Sequence, residues 1–212
     1  MSDFLLYLPD FARALGVTLS ISISAAVLGA CAGFILQAVC RHNRWLLWPW
    51  RICVWLIRGT PYLAQLAVFY FGLPAIGVTL SAVEATVISL AIYSSVYFGE
   101  IFRTAWKSIG QGQLEAAQVH DISAWQSFWH IQTPQALRFS LPLLGNQFIS
   151  TIKESSVASI ITVPELTMTT GQIVANTYTY IVPYSLLILS YWLLAQGISV
   201  SVRLLSRQAI EG

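Results

Sequence analysis

The stretch of sequence that decides the fold is residues 14–40, which read ALGVTLSISISAAVLGACAGFILQAVC and contain no Asp, Glu, Lys or Arg. A helix needs about 20 apolar residues to cross about 30 Å of hydrocarbon. A charged side chain at the bilayer centre costs about 2.5–3.5 kcal/mol. An uncharged apolar stretch of this length therefore predicts a membrane-spanning helix.

The composition of the whole chain has the same character. Of the 212 residues, 56% are hydrophobic and 9% are charged, and the mean hydropathy is +0.67. A soluble domain is about 25% charged, so this chain is not a solvated globular protein, and its 13% aromatic content excludes a disordered one. A net charge of +2 without a long basic run does not indicate a nucleic-acid partner.

Gaps between charges locate the remaining spans. Residues 59–83 and 166–202 are also uncharged, and two further apolar stretches are interrupted only by Glu100 and by Lys153 with Glu154. We therefore predict an all-α integral membrane protein with five transmembrane helices, near 15–37, 52–72, 84–105, 139–161 and 182–204.

The orientation follows from the distribution of Lys and Arg between the loops, since basic residues accumulate on the cytoplasmic side. One side of the predicted bundle carries seven of them and the other carries only Arg13. The seven are Arg41, Arg44, Arg103, Lys107, Arg138, Arg203 and Arg207. This predicts an N-terminus outside and a cytoplasmic C-terminus, with the loop 106–138 also in the cytoplasm.

The loop 106–138 is too long for a turn and too apolar for a disordered linker. Residues 113–120 favour a short helix, and Ser123 with Gln126 forms a capping-box pattern for a second one, on which Trp125, Phe128 and Trp129 share a face. The pair at 133–134 (TP) is expected to end that second helix before the fourth span. The pattern predicts two short helices at about a right angle on the cytoplasmic surface.

Such a surface helix either rests on lipid or docks a cytoplasmic partner. A helix lying on lipid favours Lys and Arg on its polar face, whereas this one offers Gln and His. Small side chains at Ala116 and Ala117 allow another protein to approach closely. The residues therefore favour docking.

The residues of this loop also resemble a known motif. Glu115, Ala116 and Ala117, followed at the right distances by Ile131 and Pro134, are similar to the EAA loop of type I ABC importer permeases. Further stretches resemble the polar amino-acid subfamily, which carries histidine, arginine, glutamate, glutamine and related solutes: LIRGTP at 56–61, GQGQLE at 110–115, IKESSVA at 152–158 and PEL at 164–166. The resemblance covers residues 15–205, which we expect to form one transmembrane domain.

The resemblance implies the partners of the chain. In this family the EAA loop docks onto a cytoplasmic ATPase dimer, which holds ATP and Mg and drives the membrane helices between outward and inward openings. The chain contains no GxxxxGK[ST] phosphate-binding sequence, so we expect a non-catalytic subunit that binds no cofactor itself. A second permease chain, identical or homologous, an extracytoplasmic solute-binding protein and the lipid of a bacterial inner membrane complete the expected surroundings.

One position departs from the motif, because Asp121 stands where the family has Gly. Glycine accepts a left-handed backbone without penalty, and Asp tolerates that conformation better than most residues. We therefore expect the corner between the two short helices to survive. Whether the change alters the strength of coupling or is neutral stays open.

Charged residues inside the predicted spans are candidates for function by default. Lys153 and Glu154 are adjacent on a helix and point about 100° apart, so each needs its own partner. That partner is either the amino-acid solute in a translocation path or an ion on another helix. Arg58 and Glu100 are further path candidates because they also lie inside the predicted spans. Glu100 and Arg103 are spaced to pair on one face, and Arg58 is predicted to snorkel or to meet Glu100, so a structural role is the alternative for these residues.

Two other classes of protein remain as alternatives. A self-sufficient secondary transporter of small polar solutes would show internal inverted repeats, and the sequence contains none that we can identify. A membrane enzyme would need a clustered nucleophile, base or metal set. The three His are scattered without metal-ligand spacing, and the three Cys form no CxxC pair.

Overall fold

The computed structural model describes residues 2–42 and 44–211, and this part of the chain is all-helical with short connections. The α-helices are α1 (Ser2–His42), α2 (Arg44–Gly59), α3 (Tyr62–Ala67), α4 (Ala82–Lys107), α5 (Gln111–Val119), α6 (Ala124–Gln126), α7 (Thr133–Glu154), α8 (Leu166–Thr177) and α9 (Ile181–Glu211). Short segments of π or 3₁₀ helix continue the α-helices at three places: Val68–Gly72 and Leu73–Ile76 after α3, Ser127–Gln132 between α6 and α7, and Ser155–Ile161 after α7.

Helix α4 is the centre of the bundle. Buried residues make up 61% of its most apolar stretch, against 33% for α1 and 6% for α9. Two hydrogen bonds between buried hydroxyls attach neighbours to it: Ser94 Oγ lies 3.1 Å from Thr151 Oγ1 of α7, and Ser89 Oγ lies 3.2 Å from the Tyr62 hydroxyl of α3. Helix α9 therefore lies at the periphery, with most of its apolar surface uncovered.

Small residues let α1 and α4 pack with their backbones in contact. A Cβ placed on Gly33 of α1 would lie 2.5 Å from the carbonyl oxygen of Ser95 and 2.7 Å from the amide nitrogen of Gly99. A Cβ on Gly29 would lie 2.9 Å from the carbonyl oxygen of Ala91. Spacings of four residues on both helices give the small-xxx-small pattern that allows membrane helices to approach closely.

The predicted second span, 52–72, is divided into two helices that meet at a sharp bend. The axes of α2 and of α3 with its extension differ by 107°. Pro61 has no N–H to donate and disfavours the α conformation at Thr60, so the helix ends there. The Gln65 side-chain amide then donates to the carbonyl oxygen of Ile57 and to Thr60 Oγ1, each at 2.9 Å, which holds the two pieces in this bend.

The predicted break at 133–134 is wrong. The chain is helical without interruption from Ala124 to Glu154, and Pro134 lies within this continuous helix at the start of α7. The π turn Ser127–Gln132 precedes it, and such turns accommodate irregular hydrogen bonding inside a helix. The second element of the loop 106–138 is therefore the start of a long helix and not a separate short one.

Three described helices are long and apolar enough to cross a membrane: Leu6–Cys40, Ala82–Lys107 and Ile181–Ser206. The bent pair Trp45–Gly59 and Tyr62–Ile76 makes a fourth if it counts as one broken span. The predicted fourth span, 139–161, is divided between α7 and the 3₁₀ turn that follows it. Of the residues behind the predicted orientation, Arg41, Arg44 and Arg207 have side chains outside the described part.

The contact between α1 and α4 generates a test with a matched control on the same helix. Gly33→Ala should lower the free energy of unfolding by about 1–3 kcal/mol because its methyl group would overlap the backbone of α4. Gly16→Ala should leave it unchanged or slightly raised, since a Cβ there meets nothing within 4 Å. Thermal unfolding in detergent checks both variants, and equal stability of the two would contradict the packing described.

Candidate functional site: the coupling loop and a tyrosine-lined face

Helix α5 ends in a left-handed turn at Asp121, whose φ is 53°. The Asp121 N–H donates to the carbonyl oxygen of Gln118 at 3.1 Å, and the Ile122 N–H donates to that of Ala117 at 3.0 Å. This pair of bonds is the Schellman arrangement that commonly terminates helices. The left-handed conformation expected where the family motif has Gly is confirmed.

The next helix begins with the predicted capping box, which is also confirmed. Ser123 Oγ accepts from the Gln126 N–H at 3.3 Å, and Gln126 Oε1 accepts from the Ser123 N–H at 3.1 Å. A Schellman turn and a capping box thus follow each other directly. Backbone and side-chain bonds together fix the corner between α5 and α6.

This corner presents a small exposed surface. Val119 is 81% exposed and Trp125 is 70% exposed. We call the loop surface the exposed residues Glu115, Ala116, Val119, His120, Asp121 and Trp125. Of the other residues predicted for coupling, Ala117 is buried beneath this surface, Ile131 is half-buried and Pro134 is exposed on the following helix.

A groove of about 260 Å³ separates α5 from the helix that follows it. Its lining includes Leu114, Ala117, Ile122, Phe128 and Gln132. Ala117 is 4% exposed, and a larger side chain at that position would fill the space between the two helices. The second Ala of the motif therefore acts in packing, while the first stays on the loop surface.

Aromatic rings connect the loop surface to the membrane helices. The ring centre of Trp125 lies 5.5 Å from that of Trp129, and the ring centre of Trp129 lies 5.2 Å from that of Phe128. Phe128 lies 5.4 Å from Trp106 of α4, and Trp106 lies 5.3 Å from Phe34 of α1. Trp125, Phe128 and Trp129, which were predicted to share a face, are therefore in contact with one another in series. Phe128 is buried, whereas the two tryptophans are exposed.

A second group of residues surrounds Tyr93 and Tyr97 of α4. The guanidinium of Arg58 lies 5.9 Å from the centre of the Tyr97 ring, Tyr97 lies 4.9 Å from Tyr93, and Tyr93 lies 5.2 Å from Tyr62. The carboxylate of Glu154 interacts electrostatically with the phenols of Tyr62 and Tyr93. We call these five residues the tyrosine face, which has a cation at one end and an anion at the other.

The predicted charged residues differ in their pairing. Arg103 Nε donates to both carboxylate oxygens of Glu100 at 3.0 Å, so the predicted pair on one face of α4 is formed. Within the described part of the chain, Arg58, Lys153 and Glu154 form no ion pair. Arg58 lies over the Tyr97 ring and not against Glu100, whose carboxylate is paired with Arg103.

Sequence reasoning missed the three tyrosines of this face. Tyr93 and Tyr97 are four residues apart on α4, with Glu100 three residues further, so all three lie on one side of the helix. This spacing was available as a signal. Tyr62 could not have been added to it, because its contact with Tyr93 depends on the bend between α2 and α3.

Sequence reasoning also missed Glu165, which is fully buried at the start of α8. Its carboxylate accepts hydrogen bonds from the N–H groups of Thr167 and Met168, at 2.8 and 2.7 Å, and from the Tyr191 hydroxyl of α9 at 3.1 Å. Burial raises the pKa of this carboxyl, and the three hydrogen bonds oppose that rise. The N-cap pattern, an acid directly before a helix, was the available signal.

These two sites offer side chains suited to recognition. Among the described residues, no group of three His, Cys, Asp or Glu side chains could hold a metal ion. The loop surface offers one exposed carboxylate beside small and aromatic side chains. The tyrosine face offers opposite charges separated by aromatic rings.

Similar proteins have been named as amino-acid permeases. The probable amino-acid ABC transporter permease protein YckA of Bacillus subtilis (strain 168) is 36% identical over 201 residues, which cover 94% of this chain and 89% of YckA. The probable glutamine ABC transporter permease protein GlnM of the same organism is 30% identical over 206 residues, covering 97% and 94%.

Solved structures share the fold. A chain of an amino acid ABC transporter crystallised with histidines matches with a TM-score of 0.91 and 31% identity, and 97% of each chain is covered. A chain of the inward-facing MetNI methionine ABC transporter matches with a TM-score of 0.83 at 17% identity, which is a likeness of fold, over 99% of each chain.

The family model for the binding-protein-dependent transport system inner membrane component matches residues 8–210, nearly the whole chain. The resemblance seen in the EAA motif is therefore confirmed over the full fold. The chain belongs to the family of binding-protein-dependent transport system inner membrane components.

Proposed function

We propose that this chain is the permease subunit of an ATP-driven importer of polar amino acids. It forms part of the translocation path and couples to a separate cytoplasmic ATPase through the loop surface. The observation that carries the proposal is the construction of that surface: a rigid exposed corner at α5, joined by ring contacts to α1 and α4. The names of the similar proteins support an amino-acid solute.

The membrane arrangement is part of this proposal. The chain crosses a bacterial inner membrane five times within one domain, 15–205, with the N-terminus outside and the C-terminus in the cytoplasm. The uneven distribution of basic residues supports that orientation. Helix α7, extended by its 3₁₀ turn, crosses as the fourth span, with its polar residues turned toward neighbouring helices such as α4.

The proposed partners supply ATP hydrolysis, the rest of the path and delivery of the solute. ATP and Mg are held by an ATPase dimer, because this chain has no phosphate-binding loop. A second permease chain encloses the path, and an extracytoplasmic solute-binding protein delivers the amino acid. The uncovered apolar side of α9 supports a permease neighbour or lipid against it.

The tyrosine face is the proposed wall of the path. An amino acid that moves along this face can place its carboxylate beside Arg58 at one position and its ammonium group beside Glu154 at another. The aromatic rings between them favour the cationic group over their faces. Lys153, exposed next to Glu154, and the paired Glu100 complete the candidate residues of the path.

Charge reversal at the loop surface tests the coupling. Glu115→Lys should weaken the bound ATPase at least about tenfold, because it places a cation in an interface arranged for a carboxylate. Affinity purification of the permease checks this by the amount of ATPase retained. The control Asp10→Lys makes the same charge change at an exposed position at the far end of α1. Full retention of the ATPase by Glu115→Lys would refute the docking role.

Neutralising the anion of the tyrosine face tests the path. Glu154→Gln should reduce ATP-dependent uptake at least about tenfold while the assembled complex stays intact, because one charged partner of the solute is removed. Uptake into proteoliposomes and size-exclusion chromatography measure the two effects, with Asp10→Asn as the matched control. Loss of assembly without a specific transport defect would instead assign Glu154 to an ion pair with a neighbouring chain.

The backbone at Asp121 tests whether the departure from the family motif matters. Asp121→Gly should raise the free energy of unfolding by up to about 1 kcal/mol, since glycine adopts the left-handed conformation without strain. Uptake should stay within about twofold, because the turn is already formed. Asp121→Val places a β-branched residue at φ 53°, so it should lower both the free energy of unfolding and the rate of uptake. A severalfold change in uptake by Asp121→Gly would show that the residue sets coupling strength.

A further inference from the structure

A cavity of about 920 Å³ lies between α2, α4 and α5, with one contact to α1. Its lining includes Gln37, Trp50, Arg51, Arg103, Trp106 and Lys107. The tyrosine face does not extend into it, and only Glu115 of the loop surface reaches its edge. The cavity is therefore a separate feature that the proposed transport function leaves unexplained.

Helix α2 forms one wall of the cavity. Trp50 lines the cavity and is buried, whereas the tryptophans at 45, 48 and 55 are 89%, 69% and 74% exposed on the other side of the helix. Arg51 also lines the cavity, but it is exposed and lies between Trp48 and Trp55 in the helical spacing, at the border between the two sides. Tryptophan is enriched where a membrane protein meets the lipid headgroups. The exposed tryptophans therefore favour a position of the cavity at headgroup level, beside lipid.

The cavity carries an excess of positive charge. Glu100 is already paired with Arg103, so its carboxylate is neutralised within the wall. Arg51 and Lys107 form no ion pair among the described residues, and they face a single further acid, Glu115. Two cations that lack partners beside one exposed carboxylate favour an anionic ligand.

Three buried side chains in the wall lack hydrogen-bond partners. The side-chain oxygen of Gln37 and the indole nitrogens of Trp50 and Trp106 have none within the described part of the chain. These residues are 4%, 8% and 5% exposed. Buried polar atoms are almost always bonded in native structures. These three atoms lie behind the cavity surface, so the uncharged polar groups that a ligand in the cavity meets are the exposed side chains of Gln111 and Gln118.

We propose that this cavity binds the headgroup of an anionic phospholipid of the phosphatidylglycerol type. The phosphate diester accepts from Arg51 and Lys107, and the glycerol hydroxyls of the headgroup pair with the side chains of Gln111 and Gln118. The acyl chains leave along the tryptophan side of α2. Free inorganic phosphate shares the anionic chemistry, but it would not need the apolar exit that α2 provides. Basic pockets between membrane helices on the cytoplasmic side commonly bind anionic headgroups.

Lipid retention tests the proposal without ATP or an amino acid, so its failure is distinct from a failure of the transport function. The full chain, with the subunits that copurify with it, is placed in nanodiscs of phosphatidylcholine with increasing phosphatidylglycerol. Native mass spectrometry then measures the retained lipid. Arg51→Gln and Lys107→Gln should each weaken retention of phosphatidylglycerol about fivefold. Arg138→Gln, which removes an exposed cation from α7 away from the cavity, should not.

Two results would overturn the proposal. Equal loss of phosphatidylglycerol in Arg51→Gln and Arg138→Gln would show only a general attraction of basic residues for anionic lipid. The second result concerns inorganic phosphate, added to the protein in detergent without lipid. If phosphate binds with the same dependence on Arg51 and Lys107, and if phosphatidylglycerol added afterwards fails to displace it, the ligand is a free anion. Displacement of phosphate by the lipid supports the headgroup assignment.

Discussion

The close contact between α1 and α4 is the constraint on which the other features of this protein depend. Gly29 and Gly33 bring the two backbones so near that even a methyl group would overlap carbonyl and amide atoms of α4. In a bilayer, where burial of apolar surface gives little drive for helices to associate, such contact supplies dispersion and packing energy. The result is a stiff pair of helices at the centre of the bundle.

Both sites of the protein are attached to this pair. At one end of α4, Trp106 and Phe128 connect it to the corner at α5. Farther along, Tyr93 and Tyr97 of the same helix form the middle of the tyrosine face. A displacement of the loop surface therefore reaches the proposed path through a single rigid element. In the proposed function, this element is the route by which an ATPase outside the membrane would move a site within it.

The sequence predicted features that depend on local chemistry. The uncharged residues 14–40 lie in a helix, the turn at Asp121 is left-handed, and Ser123 begins a capping box. Each follows from neighbours within a few residues. The family motif indicated the loop that carries Glu115, and the match to the family model confirms that the chain belongs to this family.

Features that depend on the bundle as a whole were missed or wrong. Pro61 ends α2, but the 107° bend that follows it depends on Gln65 bonding back to α2. Pro134 has the same chemistry and yet interrupts nothing, because the π turn before it accommodates irregular hydrogen bonding. Glu165 stands outside the predicted spans, and it is buried because α8 and α9 supply three donors to its carboxylate. Partners on other helices decide these cases.

The most direct measurement of the central claim is uptake of labelled amino acids into proteoliposomes that contain this chain. A panel of cationic, acidic and neutral amino acids is supplied with the cognate binding protein, with and without the ATPase and ATP. We expect uptake only when the ATPase, ATP and the binding protein are all present. Uptake by this chain alone, driven by an ion gradient and unaffected by ATP, would contradict the account and identify a self-sufficient transporter.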